Sequence, residues 1–135
     1  MAVLALTNAH ITINSVVLSD HANNVTFNYE VDSVEVTAFG DSGHKFVGGL
    51  QNNSCEITLM QDFATSNVEA TIYPLVGTTT TIIVRPNGAT TGATNPSYTL
   101  TGTFLASHTP VSAGVGELAT TSLTFTGGTI AKAVA

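Results

Sequence analysis

Between residues 24 and 37 the chain alternates apolar and polar residues and, once, changes phase. Val25, Phe27, Tyr29 and Val31 fall on one side, Thr26, Asn28, Glu30 and Asp32 on the other. Successive side chains of a strand point to opposite faces, so a period of two marks a half-buried strand and excludes an amphipathic helix. After Asp32-Ser33 the apolar positions become Val34 and Val36. A period-two pattern that slips by one and resumes implies a β-bulge, which bends the strand there.

The same alternation recurs along the chain. Ile11, Ile13 and Val17 mark a first strand within 9–19, and Cys55, Ile57 and Leu59 alternate with Glu56, Thr58 and Met60. Residues 78–86, Tyr98–His108 and Ala119–Thr126 read as further strands, with Tyr98, Leu100, Gly102 and Phe104 expected on one face. One segment breaks the period. Ser66-Asn67-Val68-Glu69 has the form of a capping box, and Val68, Ile72 and Leu75 or Val76 share a helical face until Pro74 and Gly77 end it. The expected fold is mainly β: a two-sheet β-sandwich or flattened barrel of about seven strands, with one short α-helix near residues 66–76. A length of 135 residues suits a single domain over 1–135. A long loop at 38–53 is expected, with arms at 1–8 and 127–135.

Charge is scarce: 9% of residues are charged, three basic against nine acidic, for a net charge of −6. Ordinary domains are about 25% charged, so so neutral a surface hints at assembly. Nucleic-acid binders concentrate Lys and Arg against phosphates, and this balance argues against groove binding. A lone cysteine, Cys55, rules out an internal disulfide and reads as a small core residue. No signal peptide is expected from the first residues and no apolar run approaches a membrane span.

The motifs that suggest catalysis do not hold together. Gly40-Asp41-Ser42-Gly43 echoes a serine-protease nucleophile loop, but the chemistry needs a base and an orienting carboxylate, and it is also ordinary turn chemistry. His10, His21, His44 and His108 lack paired metal-ligand spacing. Glu30, Asp32 and Glu35 come without an aromatic sugar platform. No active site, metal or cofactor is expected.

A longer series of motifs carries a resemblance. Val34-Glu35-Val36-Thr37-Ala38-Phe39-Gly40-Asp41, Phe46-Val47-Gly48-Gly49-Leu50 and Gln61-Asp62-Phe63 come first. Val68-Glu69-Ala70-Thr71-Ile72-Tyr73-Pro74-Leu75-Val76-Gly77, Val84-Arg85-Pro86, Thr94-Asn95-Pro96-Ser97-Tyr98 and Gly114-Val115-Gly116-Glu117-Leu118-Ala119-Thr120 follow in order. Together, over roughly 25–126, the chain resembles major tail proteins (tail tube proteins) of long-tailed, siphovirus-like actinophages. It departs from them at the loop tip, Ser42-Gly43-His44-Lys45.

The resemblance implies a structural virion protein with no enzymatic activity, made in the bacterial cytoplasm and resident in the phage tail. Its copies form rings, six to a ring, that stack into a hollow tube for DNA passage. Implied partners are further copies of itself and the tail tip, tape measure and terminator proteins. DNA passes without specific binding, and no membrane is involved. Glu30, Asp32 and Glu56 are expected to line the lumen, and Phe39, Phe46, Val47 and Leu50 to make contacts between subunits or rings. The alternative is another virion β-sandwich, a head decoration protein or a tail terminator.

Overall fold

A computed structural model describes residues 6–65 and 67–134. The protein is mainly β with one short helix. Its elements are β1 (His10–Ile13), β2 (Val16–Val17), β3 (Ala22–Asn28), β4 (Val31–Glu35), β5 (Phe46–Gln51) and β6 (Ser54–Met60), then α1 (Val68–Ile72), β7 (Thr79–Arg85), β8 (Ser97–Leu105), β9 (Thr120–Thr126) and β10 (Thr129–Ala133). Eight strands form one sheet in the order β2-β1-β7-β8-β9-β6-β3, with β10 added on β8; β4 and β5 form a separate pair.

The large sheet becomes two layers at β8. One edge of β8 pairs with β7, while the other is shared: residues 97–101 pair with β10, and Phe104 and Leu105 with β9. Between these stretches Gly102 adopts φ +74° and is an extra residue opposite Thr80-Thr81. Such a bulge bends its strand, and here it carries β8 from the β1–β7–β10 layer into the β9–β6–β3 layer.

Cross-strand rows then fill the interior. Ile13, Ile82, Leu100 and Ile130 lie side by side in one layer, as do Ile11, Val84 and Tyr98. Val25–Ile57–Leu123 and Phe27–Cys55–Phe125 do the same in the other. Apart from half-buried Tyr98, these residues belong to one continuous core, and each large side chain fully buried in it contributes about 1.5–3 kcal/mol. Burial pushes the Cys55 thiol up to about 12, aided by the neighbouring Glu56 charge, so it remains an unreactive core residue.

The helix is shorter than its sequence pattern. α1 spans Val68–Ile72 and tightens into a 3-10 turn at Tyr73–Leu75, because Pro74 lacks the amide that a continuing helix needs. Val68, Ile72 and Leu75 are buried. Ser66 of the expected capping box lies outside the described residues. The Glu69 carboxylate turns elsewhere, taking His108 Nε2 at 2.8 Å and Gln61 Nε2 at 3.3 Å.

Three expectations change. Gly102 reverses the alternation, so Thr103 and Leu105 are buried and Phe104 faces out. The loop at 38–53 contains β5, whose Gly48-Gly49 interrupts any apolar period. The segment 127–135, expected as an arm, carries β10 along β8. Residues 1–5 of the other expected arm lie outside the described residues. Among the described residues no helix is long and apolar enough to cross a membrane.

Candidate assembly surface

β3 leads into β4 and β5 into β6, so the four strands make one long ribbon. Its inner half, β3 and β6, belongs to the sandwich; its outer half, β4 and β5, stands away from it. Every residue of β4 and β5 is exposed. Directly opposed residues of an antiparallel pair share a face, so Val34 and Val47 sit on one side of this arm and Glu35 and Phe46 on the other. Tyr29 and Val31, expected to continue the buried face of β3, are exposed because the chain has left the core.

The expected bulge is present, with the extra residue on the partner strand. Val31 and Ser33 oppose Gln51 and Gly48, two steps against three. Glycine fits there sterically: a Cβ on Gly49 would lie 3.1 Å from Val34 Cγ2 and 3.3 Å from the Asp32 carbonyl.

Asn53 fixes the base of the arm. It is 1% exposed, and its Nδ2 donates to Gln51 Oε1 at 2.9 Å and to the Gly128 carbonyl at 3.1 Å. Its Oδ1 accepts the Glu30 amide at 3.1 Å. Gln51 Oε1 also accepts the Ile130 amide at 3.0 Å. The arm is thereby tied both to the end of β3 and to the turn before β10.

The tip, residues 36–45, is ordered by paired charges. Asp41 accepts the Ala38 amide at 2.8 Å and lies 3.0 Å from Lys45 Nζ; those two contacts, the amide first, hold its carboxyl below the usual range. His44 Nδ1 donates to Glu35 Oε2 at 2.7 Å and Thr37 Oγ1 donates to the same oxygen at 2.8 Å, lowering the Glu35 pKa. Within this frame Phe39 is entirely exposed, at 109% of its reference area, and Leu50 reaches 82%. Phe39, Phe46, Val47 and Leu50 therefore share one projecting arm, and none of them packs into the core of its own chain.

Gly40-Asp41-Ser42-Gly43 belongs to this tip, where Asp41 serves the turn. His10 lies in register with Arg85, and His21 bonds Asp20 and Asp62, so neither is arranged around Ser42. Among the described residues no three His, Cys, Asp or Glu side chains converge as a metal site would require.

The three acidic residues expected on one surface separate into two places. Glu56 lies on the outer face of the β3–β6–β9 layer, in a row with Thr26 and Thr124. Adjacent rows are Asn24–Thr58–Ser122 and Asn28–Ser54–Thr126. This face is amide and hydroxyl with one negative charge, and the three basic residues of the chain, Lys45, Arg85 and Lys132, lie on other strands or loops. Glu30 sits in the break before β4, and Asp32 on β4 itself. Sequence reasoning missed Asn53, whose role depends on long-range partners. It also missed the exposed apolar group Val111, Val115 and Leu118, which reads in sequence as a turn-rich linker.

No protein-family model and no curated protein matches the sequence. Solved structures do match its fold. The chain superposes on a chain of the PVC sheath/tube terminator of an extracellular contractile injection system with a TM-score of 0.73 at 10% identity, covering 98% of this chain and 97% of that one. The anti-feeding prophage tube-terminating cap gives a TM-score of 0.72 at 12% identity over 100% and 93% of the two chains. The PVC sheath–tube complex gives 0.69 at 11% identity over 98% and 93%. At such identities the likeness establishes a shared fold.

Proposed function

We propose that this chain is a structural subunit of a phage-type tail tube, assembling into rings, six copies to a ring, that stack into a hollow conduit for DNA. The observation that carries the proposal is the arm. A separate β-ribbon with exposed apolar side chains on both faces is costly in water and is relieved by burial against other copies. The fold shared with sheath–tube, terminator and cap chains supports the same reading. Among the described residues β3 pairs with β6 alone, and backbone groups on its other edge are ones that a neighbour can complete.

The lumen reading follows from the outer face of the β3–β6–β9 layer. Phosphates are held where Lys or Arg displaces their counterions. A face of Asn, Ser and Thr with Glu56 at its centre gives DNA nothing to hold. Glu30 and Asp32 extend the negative charge along the arm. Phe39, Phe46, Val47 and Leu50 form the contacts between subunits or rings. The subunit would function in the virion tail, with the tail tip, tape measure and terminator proteins as its other partners.

A second reading, a tube terminator, is favoured by the terminator and cap folds matching at least as well as the sheath–tube chain. Negative-stain electron microscopy of the purified protein at rising concentration separates the two. Hollow tubes with a regular axial repeat are expected; isolated rings would favour the terminator, and a persistent monomer would overturn self-assembly. For the lumen, tubes of Glu56→Lys should retain DNA at low salt where unaltered tubes do not. Equal retention would remove Glu56 from the lining.

A further inference from the structure

We propose that Phe39 of one copy seats in an apolar cleft between the two layers of a second copy, beside Arg85. The inference rests on the self-assembly reading above and names the surface that receives the arm. The cleft opens beside β3, facing the ends of β1, β7 and β8. Besides Arg85 its walls are Leu6, Ala9, Val25, Phe27, Val84, Pro86 and Tyr98, and its volume is about 170 Å³. An apolar cavity of roughly 150 Å³ suffices to hold a benzene molecule, so the space matches a phenyl ring. Phe39 presents such a ring, fully exposed on a tip already fixed by Asp41, Thr37 and Glu35. Little conformational freedom is left to lose on docking.

Charge separates the two surfaces in the same sense. From residue 30 to 46 the arm carries Glu30, Asp32, Glu35 and Asp41 against Lys45, four negative charges to one positive. Around the cleft two basic residues stand against Asp20, which lines the adjoining hollow. Arg85 lines the cleft, Lys132 is in register with Tyr98 across β8, and His10 is in register with Arg85. Two of the three basic residues thus flank the cleft, and complementary potentials orient an approaching arm. Arg85 Nε is buried with no hydrogen-bond partner among the described residues. A ring entering beside it places an aromatic face against the guanidinium, a favourable cation–π arrangement. Arm and cleft are different surfaces of one chain, so the contact is heterologous and repeats from copy to copy.

Mixed single-cysteine variants test the pairing. Phe39→Cys protein is combined with Ala9→Cys protein under assembly conditions and oxidised mildly, so that two thiols lose their hydrogens to the added oxidant and form a disulfide. Cys55 is fully buried and does not compete. The expected result is a cross-linked dimer from this mixture, about tenfold above either variant alone or Phe39→Cys mixed with Val76→Cys. Particles that assemble but cross-link equally in the Phe39→Cys sample alone, or equally to Val76→Cys, overturn the cleft and leave the assembly reading standing. Unaltered protein, with Phe39 in place, that stays monomeric by sedimentation under the same conditions overturns both.

Discussion

Asn53 Nδ2 lies 3.1 Å from the Gly128 carbonyl oxygen, a bond between residues 75 positions apart that holds the foot of the arm against the turn into β10. The same side chain satisfies Gln51 and the Glu30 amide. Replacing Asn53 with Ala takes the side-chain partner from the Glu30 amide and the Gly128 carbonyl, while Gln51 keeps the Ile130 amide; leaving a buried group unsatisfied costs about 1–3 kcal/mol. Asn53→Ala should lower the urea midpoint of the monomer accordingly. Asn53→Asp should also lower it, because a carboxylate accepts from Glu30 but cannot donate to Gly128. A midpoint unchanged in both variants would remove Asn53 as the clamp.

Two phenylalanines should behave oppositely. Phe125 is fully buried, and truncating a buried Phe to Ala costs about 3–5 kcal/mol. Phe39 is fully exposed, and surface changes of that kind stay within about 0.5 kcal/mol. Thermal unfolding of monomeric Phe125→Ala and Phe39→Ala should therefore separate widely. Only Phe39→Ala should combine normal stability with impaired assembly.

Gly102 and Gly128 both hold positive φ, yet their surroundings differ. A Cβ on Gly102 meets nothing within 4 Å, whereas one on Gly128 would lie 2.6 Å from the Thr101 carbonyl. Gly102→Ala should cost about 1–2 kcal/mol from the left-handed backbone alone. Gly128→Ala should cost more, since the backbone must also move. Denaturant midpoints give the order directly, and equal losses would contradict the close approach of β10 to β8.

His21 donates to Asp62 at 2.8 Å and to Asp20 at 2.9 Å, which requires the imidazolium. The Asp62 bond is the main cause that raises the His21 pKa. Asp62 is held low, by the Ala64 amide first and by His21 next. The raised histidine contributes stability that is complete below about 6.5, its unfolded value, and is lost as pH rises through the folded value. The lowered carboxylate contributes above its ordinary range and is lost as pH falls through the depressed value. His21→Gln should therefore differ most from the unaltered protein near pH 5.5 and least near pH 8.5. Urea midpoints at the two values check this, and a gap that widens toward alkaline pH would reverse the assignment.

The sandwich was readable where burial follows a strict period, as at Cys55, Ile57 and Leu59. It failed where one residue changes phase. Gly102 moves Leu105 inward and Phe104 outward, and nothing in Thr-Gly-Thr distinguishes a bulge from a regular strand. The phase slip at Asp32-Ser33 did locate a bulge, but the inserted residue is on β5, which a single strand cannot disclose. The apolar content of 38–53 pointed to the arm, while Gly48-Gly49 concealed its second strand. The clamp at Asn53 was invisible because Glu30, Gly128 and Ile130 are neighbours only after folding. The cleft beside Arg85 was hidden for the same reason, since its walls come from the segment before β1 and from β3, β7 and β8.

The Asn53 clamp also sets an order in time. β3 to β6 form a ribbon of local pairs, which closes on the microsecond scale of a hairpin. Strands β1 and β7, or β6 and β9, must first close long stretches of chain, a slower step that scales with sequence separation. During synthesis the arm can zip before its seat exists, because the Gly128 carbonyl and Ile130 amide are made some 75 positions after Asn53. The aim of the arm is fixed only when the last strands arrive. The arm thus reaches its final orientation only after the core of its own chain has closed.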